Sequence, residues 1–539
     1  MSYPGNTKNS PSIASNAIFW LLGIMAVLGL LNLDRLPIAW NDEVQNLDPA
    51  LVWHNTGIFC SPLWPNPGAE TKFLSYPPLI EAWHCLWLFF DKSIWITRLP
   101  FLVAHLLTAF LLYRCLLSLL KNQEKSIFWA FILTALFLFD KSTGEIARSL
   151  RVETPILLLL ACLMPLLSQF FKKPSPLNAS LIGAILSGLA LAHLYTWPLV
   201  ATVLFLCFMA SPKKKLLHTT LPLLILFALP WFLFLITVRP DLHQLKTQLF
   251  MQAADHSSHS VIDNLYAFFW GRFYPYSLEQ PYTPFLHLLY FLGAIQLLYF
   301  YRSSFQTTQT ALIKAWIPLL YLSLSLPMML AITPQHRYYP VQHFLGILTL
   351  ADAIVCLGFP WKTQKISSWL RKQTWTQNQT IRRAATLCFV FVLIFPYAIR
   401  HSAALFQRKQ RNPDTAIEFL NKNLNNVPAG DILGEPIANY WLAQSPNPKN
   451  WRFGFEFYPQ HFAFNPSIPR YFLSRVTPNQ LPFLTPLDSL KIPQSPWQQK
   501  LKMDRGGHTY HGLFLYRIPN QKAWKALIRP KVLKATSGH

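Results

Sequence analysis

Charge is what this chain lacks most. Only 13% of its 539 residues are charged, about half the share of an average soluble domain. A soluble enzyme of this length could not cover its surfaces with so few charges. Acids are the scarcer kind, 23 Asp+Glu against 47 Lys+Arg. Cysteine is also sparse: Cys60, Cys85, Cys115, Cys162, Cys207, Cys356 and Cys388 are the whole set, and none lies beyond 403. The C-terminal part is therefore not a disulfide scaffold. Cys60 and Cys85 share one polar segment, but no CxxC metal spacing exists. Internal repeats and low-complexity tracts are absent. What is plentiful is apolar: 52% of residues are hydrophobic and 15% aromatic, which excludes a disordered chain.

Runs near membrane-spanning length, about 20 residues, recur through the first three quarters. We expect eleven spans, near 16–33, 98–120, 126–139, 152–170, 178–192, 197–210, 218–237, 285–301, 312–331, 341–359 and 384–403. The pieces at 126–139 and 178–210 are short or interrupted by polar residues and Pro198. The connecting segments orient them. With the N-terminus inside, the inner loops hold Lys121, Lys125, Lys172, Lys173, Lys213 to Lys215, Arg302 and the block from Lys362 to Arg383. Glu124 is the one acid in those loops. This alternation follows the positive-inside rule, and an odd number of spans places the C-terminus outside. The +24 net charge is thus explained without nucleic acid. No small-residue cleavage site follows Leu33, so the first span reads as a retained anchor.

Two outer loops are long, 34–97 and 238–284. Both are rich in Trp, Tyr, Phe and Pro, residues suited to a membrane interface. From 404 to 539 the chain turns polar and basic, with 18 Lys+Arg against 7 Asp+Glu. A helical start at Asp414–Asn425 and strand-like runs at Asp431–Leu433 and Gly512–Arg517 predict a small α/β domain outside the membrane. Its net +11 suits anionic headgroups or an anionic glycan. We therefore divide the chain into a membrane domain, 1–403, and an extracytoplasmic domain, 404–539.

The chemistry is expected in the outer loops. Asp42-Glu43 follows the first span directly, and adjacent carboxylates there can take a proton or hold a divalent metal. Alone, such a pair is more often an ordinary solvated loop. The surroundings add weight. The loop runs Asn41-Asp42-Glu43-Val44-Gln45-Asn46, then Ser75-Tyr76-Pro77-Pro78-Leu79. Thr97-Arg98-Leu99-Pro100 heads the second span. Arg148-Ser149-Leu150-Arg151-Val152-Glu153-Thr154 heads the fourth, and Gln335-His336-Arg337-Tyr338-Tyr339-Pro340 precedes the tenth. Asp352 falls inside that tenth span, where a charge must face a partner or a cavity.

In order and spacing this series resembles the GT-C membrane glycosyltransferases. It is most similar to the branch related to protein O-mannosyltransferases (glycosyltransferase family 39-like) and lipid A aminoarabinose transferases. The resemblance covers about 15–360 and leaves the tail unmatched. It implies an all-α polytopic fold in a bacterial inner membrane. It also implies transfer of a hexose or pentose, with inversion, from a polyprenyl-phosphate donor to a lipid, glycan or protein hydroxyl. Asp42 matches the family's catalytic acidic residue, the expected general base, Glu43 its neighbour and Glu153 the acidic position at the fourth span, where many relatives carry Asp. Arg337 matches the late arginine near the lipid phosphate. Arg148, Arg151 and Lys72 are further cations for a leaving phosphate. Tyr76 and Tyr338 would line the site. The resemblance leaves metal use open; a divalent ion would sit on Asp42 with Glu43 or Glu153.

Each candidate has a plainer role. Arg148 and Arg151 serve equally well as headgroup anchors, Lys72 as a solvated lysine and Tyr76-Pro77-Pro78 as a turn. Three other protein classes also merit weighing. A secondary transporter would show two similar halves with interrupted helices, and no halves are visible. A polysaccharide polymerase or ligase using polyprenyl-linked sugars would carry its key residues in a late outer loop. A scaffold would need neither Asp42 nor Glu153.

Overall fold

The computed structural model describes residues 13–39, 41–61, 63–64, 69, 71–121, 123, 126–212, 216–238, 243–248, 260, 262, 264–265, 283–305, 307–330, 339–357, 394–395, 398–425, 431–444, 452–454, 469–493 and 510–527. Of the residues singled out above, Arg337, Tyr338, Cys388 and most of loop 238–284 lie outside these residues, as does the side chain of Asp42.

Apolar runs become helices because hydrocarbon offers the backbone no hydrogen-bond partner. The first is α1 (Ile13–Leu31). Helices α2 (Asn41–Thr56) and α3 (Leu79–Leu88) follow in the first outer loop, and then α4 (Ile94–Leu120). Next come α5 (Ser126–Phe139), α6 (Lys141–Ile146), α7 (Glu153–Lys172), α8 (Pro176–Ala192), α9 (Trp197–Ala210) and α10 (Leu216–Val238). Beyond the second outer loop lie α11 (Thr283–Ser304), α12 (Thr308–Lys314), α13 (Trp316–Leu330) and α14 (Tyr339–Leu357).

Each expected span from the first to the tenth falls on one of these helices, or on the α12–α13 pair. The eleventh lies mostly outside the described residues. Length separates them further. Among the described residues five helices are long and apolar enough to cross a bilayer, or six if α12 and α13, bent by 78°, form one broken span. Helix α5 has 14 residues, about 21 Å at 1.5 Å per residue, short of a hydrocarbon core about 30 Å thick. The apolar pattern locates the helices; it does not fix how many cross.

The outer loops are built rather than loose. Along α2, Val44, Leu47, Ala50 and Leu51 are buried, the three-and-four spacing of a helix with one apolar face. In the tail, α15 (Pro413–Leu424), α16 (Ile437–Gln444) and α17 (Gln521–Leu527) accompany five strands. These are β1 (Asp431–Gly434), β2 (Arg452–Gly454), β3 (Tyr471–Ser474), β4 (Thr485–Leu490) and β5 (Leu513–Arg517). The sheet order is β2-β1-β3-β5-β4. Strand β1 is parallel to both neighbours, while β5 is antiparallel to β3 and β4. The α/β reading of this segment is thus the observed one.

One hydrophobic core joins the two regions. Ile38, Val44, Leu47 and Leu51 of the first outer loop pack in the same cluster as Leu420, Ile437, Trp441 and Leu515 of the tail. Helix α2 is held between the tail and the membrane helices. Two other sequence expectations resolve simply. Asp352 on α14 accepts hydrogen bonds from the Tyr301 hydroxyl at 2.9 and 3.0 Å, so it faces a partner. Cys60 and Cys85 form no disulfide with each other.

Candidate functional site

Two buried ion pairs organise the outer face. A buried charge is tolerable only when paired and hydrogen-bonded, and both pairs meet that condition. In the first, Arg98 at the head of α4 donates from Nε to Glu43 Oε1 at 2.7 Å and from Nη2 to Oε2 at 2.6 Å. Its Nη1 donates to the Leu33 and Pro37 carbonyls at 2.8 and 2.7 Å. Both side chains have 0% exposure. One guanidinium thus fixes the end of the first span, the 33–37 segment and the start of α2 to α4. Glu43 spends both oxygens on this fork. Asp42 precedes it in the same first turn of α2.

The tail closes over this pair. Tyr510 Oη accepts a hydrogen bond from the Ala39 amide at 3.2 Å. Tyr440 and Tyr510 interact electrostatically with Glu43 and Arg98, and burial pushes both phenols above their ordinary value, so they stay neutral.

The second pair sits where α7 begins. Arg151 donates from Nε and Nη2 to the two oxygens of Glu153 at 3.1 and 2.9 Å. Glu153 is the first residue of α7, where a carboxylate also meets the positive end of the helix dipole. Arg148 donates to the Gly144 carbonyl at 3.1 Å, and its Nη1 lies 2.7 Å from His401 Nε2. Beside it, Arg400 pairs with Glu145. Arg148 and Arg151 are buried, 2% and 3% exposed, so they are not headgroup anchors.

Asn46 connects the two pairs. One turn beyond Asp42, its Nδ2 donates to the Leu150 carbonyl at 3.0 Å, and its own carbonyl lies 3.1 Å from His84 Nδ1 on α3. The motifs at 42–46, 98 and 148–153 are therefore brought together, though they are spread over more than a hundred residues.

Tyr76 and Lys72 form a separate cluster. Tyr76 packs against Trp64 and His193 at ring-centroid distances of 4.9 and 4.8 Å. Gln248 of the second outer loop accepts from the Leu74 amide at 2.7 Å and the Ser75 hydroxyl at 3.1 Å, and donates to the Lys72 carbonyl at 2.9 Å. The Tyr76-Pro77-Pro78 segment is a pinned structural turn with an aromatic wall.

Sequence reasoning passed over several residues here. Arg98 was visible within its motif, and an arginine beside a membrane span needs an anionic partner; nothing local named Glu43. Glu81 on α3 is 2% exposed, and its Oε2 has no hydrogen-bond partner. Burial pushes its carboxyl up to about 8. Burial also pushes neighbouring His84 down to about 4 and Asp48, which accepts from Ser61, up to about 6. A carboxyl facing neither water nor a cation holds its proton. Among the described residues no group of three or more His, Cys, Asp and Glu could hold a metal ion.

With this geometry in hand, comparison with known proteins is informative. No protein-family model matches the chain, and no curated protein matches it. A solved structure does. The crystal structure of ArnT from Cupriavidus metallidurans bound to undecaprenyl phosphate aligns with a TM-score of 0.53 at 14% identity, covering 96% of this chain and 100% of that one. The fold is GT-C. The apo form of the same protein gives a TM-score of 0.50 at 13% identity with the same coverage. The oligosaccharyltransferase of Archaeoglobus fulgidus, tethered to an acceptor peptide, aligns at 0.43 and 12% identity over 82% of this chain and 64% of its own. The alignment with ArnT includes the tail, so the GT-C likeness extends past the part of the chain where motifs were legible.

Proposed function

We propose that this protein is a membrane glycosyltransferase. It moves a sugar from a polyprenyl-phosphate carrier to an acceptor hydroxyl on the outer face of a bacterial inner membrane. The observation that carries the reading is the full-length GT-C likeness to a protein whose crystal structure holds undecaprenyl phosphate. The convergence of three motif segments supports it.

In this reading Asp42 is the general base. It takes the proton of the acceptor hydroxyl as that oxygen attacks the anomeric carbon. Attack from the face opposite the phosphate inverts the centre. The bond to the phosphate breaks, and the carrier leaves with an added negative charge. Arg148, Arg151, Arg337 and Lys72 stabilise that charge, with Arg offering a planar two-point fork. Glu153 holds Arg151 in position, and Glu43, clamped by Arg98, is a positioning residue that fixes the helix turn bearing Asp42. Tyr76 and Tyr338 line the sugar's approach. The acceptor is a lipid, a glycan or a protein.

The test is reconstitution of the full chain in liposomes with polyprenyl-phosphate sugars, comparing wild type with Asp42→Asn. Loss of polyprenyl phosphate release by about a hundredfold or more is expected from losing a general base. Equal release by both proteins refutes the assignment of Asp42. Failure to consume any polyprenyl donor refutes the transferase reading itself.

A further inference from the structure

A cavity of about 360 Å³ lies between α7, α9 and α10, at the end of these helices that carries the lysines. It is remote in sequence from the outer-face residues above. Phe170, Leu204, Cys207, Phe208, Leu223 and Leu224 form most of its wall. The hydroxyls at its edge turn inward to the protein: Ser211 donates to the Cys207 carbonyl at 2.8 Å, and Thr219 to Ser211 Oγ at 3.0 Å. Thr220 donates to the Leu216 carbonyl. The wall therefore presents carbon, and an apolar cavity favours an apolar occupant over water. Its size falls in the usual ligand range, about 300–1,000 Å³.

The cavity opens sideways. Phe205 and Phe208 on α9 and Leu224 on α10 are half-exposed, at 51%, 55% and 50%, and only 11% of the apolar window of α10 is buried. Helix α10 is crowded against α8 instead: a Cβ on Gly183 would run into the Leu223 carbonyl. That backbone-to-backbone approach leaves α9 and α10 apart at this level. One turn beyond Phe170, and on the same side of the helix, Lys173 caps α7 with an exposed side chain. Hydrocarbon walls below an exposed cation match an anionic amphiphile.

We propose that this cavity is a binding site for an anionic glycerophospholipid of the surrounding leaflet, one acyl chain inside and its phosphate at Lys173. This does not depend on the transfer reaction. The full-length protein, purified in detergent and stripped of lipid, is titrated with phosphatidylglycerol and phosphatidylcholine of identical chains, with binding read by native mass spectrometry. Roughly fivefold tighter binding is expected for the anionic lipid. Lys173→Gln, one surface change, should bring the two lipids to parity. Phosphatidylglycerol carrying a diazirine near the end of one acyl chain should label 204–208 and 219–224. Filling the cavity with Leu204→Trp should remove that labelling. Equal affinity for both lipids in the wild type, or labelling scattered along the exposed faces of α9 and α10, overturns the proposal. So does displacement of phosphatidylglycerol by equimolar undecaprenyl phosphate, which would make the occupant a prenyl chain.

Discussion

The pair formed by Glu43 and Arg98 invites a double-mutant cycle. Both side chains are fully buried, so Arg98→Met leaves a carboxylate with no counter-charge in a dry core. Removing one partner of such a pair costs about 3–5 kcal/mol. The Leu33 and Pro37 carbonyls also lose their donors, adding roughly 1–2 kcal/mol. Glu43→Leu should cost about 3–5 kcal/mol by stranding the guanidinium, which still holds its two carbonyls. The double variant buries no charge and should lose only about 2 kcal/mol, chiefly from those carbonyls. The coupling between the two changes is then at least about 5 kcal/mol, far above the roughly 0.5 kcal/mol error of additivity for independent sites. The assay is unfolding of the purified protein in mixed micelles, followed by tryptophan fluorescence. A double variant whose loss equals the sum of the single losses would refute the claim that these two charges stabilise one another.

Other consequences are as direct. The Glu81 carboxyl sits near 8 in the fold against an ordinary 4.5. Its contribution is therefore fully present below about pH 4.5 and is lost as pH rises toward 8, on the order of 5 kcal/mol at the limit. Glu81→Gln, neutral at every pH, should match wild-type thermal stability at pH 5 and exceed it at pH 8.5; parallel curves would contradict a buried proton. Arg151→Met strands Glu153 and should cost about 3–5 kcal/mol, whereas Arg148→Met should slow sugar transfer about a hundredfold. Those two effects are read separately by unfolding and by polyprenyl phosphate release. Gly434 has φ of +132°, and a Cβ there would meet the Leu473 carbonyl. Gly434→Ala should therefore separate β1 from β3 at a cost of about 1–3 kcal/mol, seen as faster proteolysis of the tail.

Much of this architecture was legible because its cause is local. A run of apolar residues forms a helix wherever it falls, so the positions of α1, α4, α5, α7 to α11, α13 and α14 could be read from composition. The strands at Asp431 and Leu513 announced themselves by short apolar runs between turns. What escaped notice depends on distance in the chain. The guanidinium of Arg98 meets a carboxylate 55 positions earlier, and the Asn46 side chain reaches a carbonyl 104 positions away. Sequence order records neither. The motif at 148–153 was recognised, but whether its arginines face a phosphate or anchor a helix end at the headgroups was an even choice in sequence, and only their burial disfavours the anchor role. Glu81 left no trace at all, since a lone Glu after Pro-Pro-Leu reads as solvated. The number of crossings is open for a different reason. Apolar character is shared by helices long enough to span and by shorter ones such as α5, of 14 residues.

The contact between Tyr510 and Ala39 joins positions 471 residues apart. Synthesis runs from the N-terminus, so the first outer loop emerges long before the strands that cover it. Helix α2, with Asp42 in its opening turn, must wait with part of its apolar face uncovered until the strands of the tail have been made. Closing contacts of such separation are slow to form. A truncated or stalled product would lack Tyr440 and Tyr510 over the Glu43–Arg98 pair. The molecule thus carries its own completeness check: the first loop is finished only by the last strand.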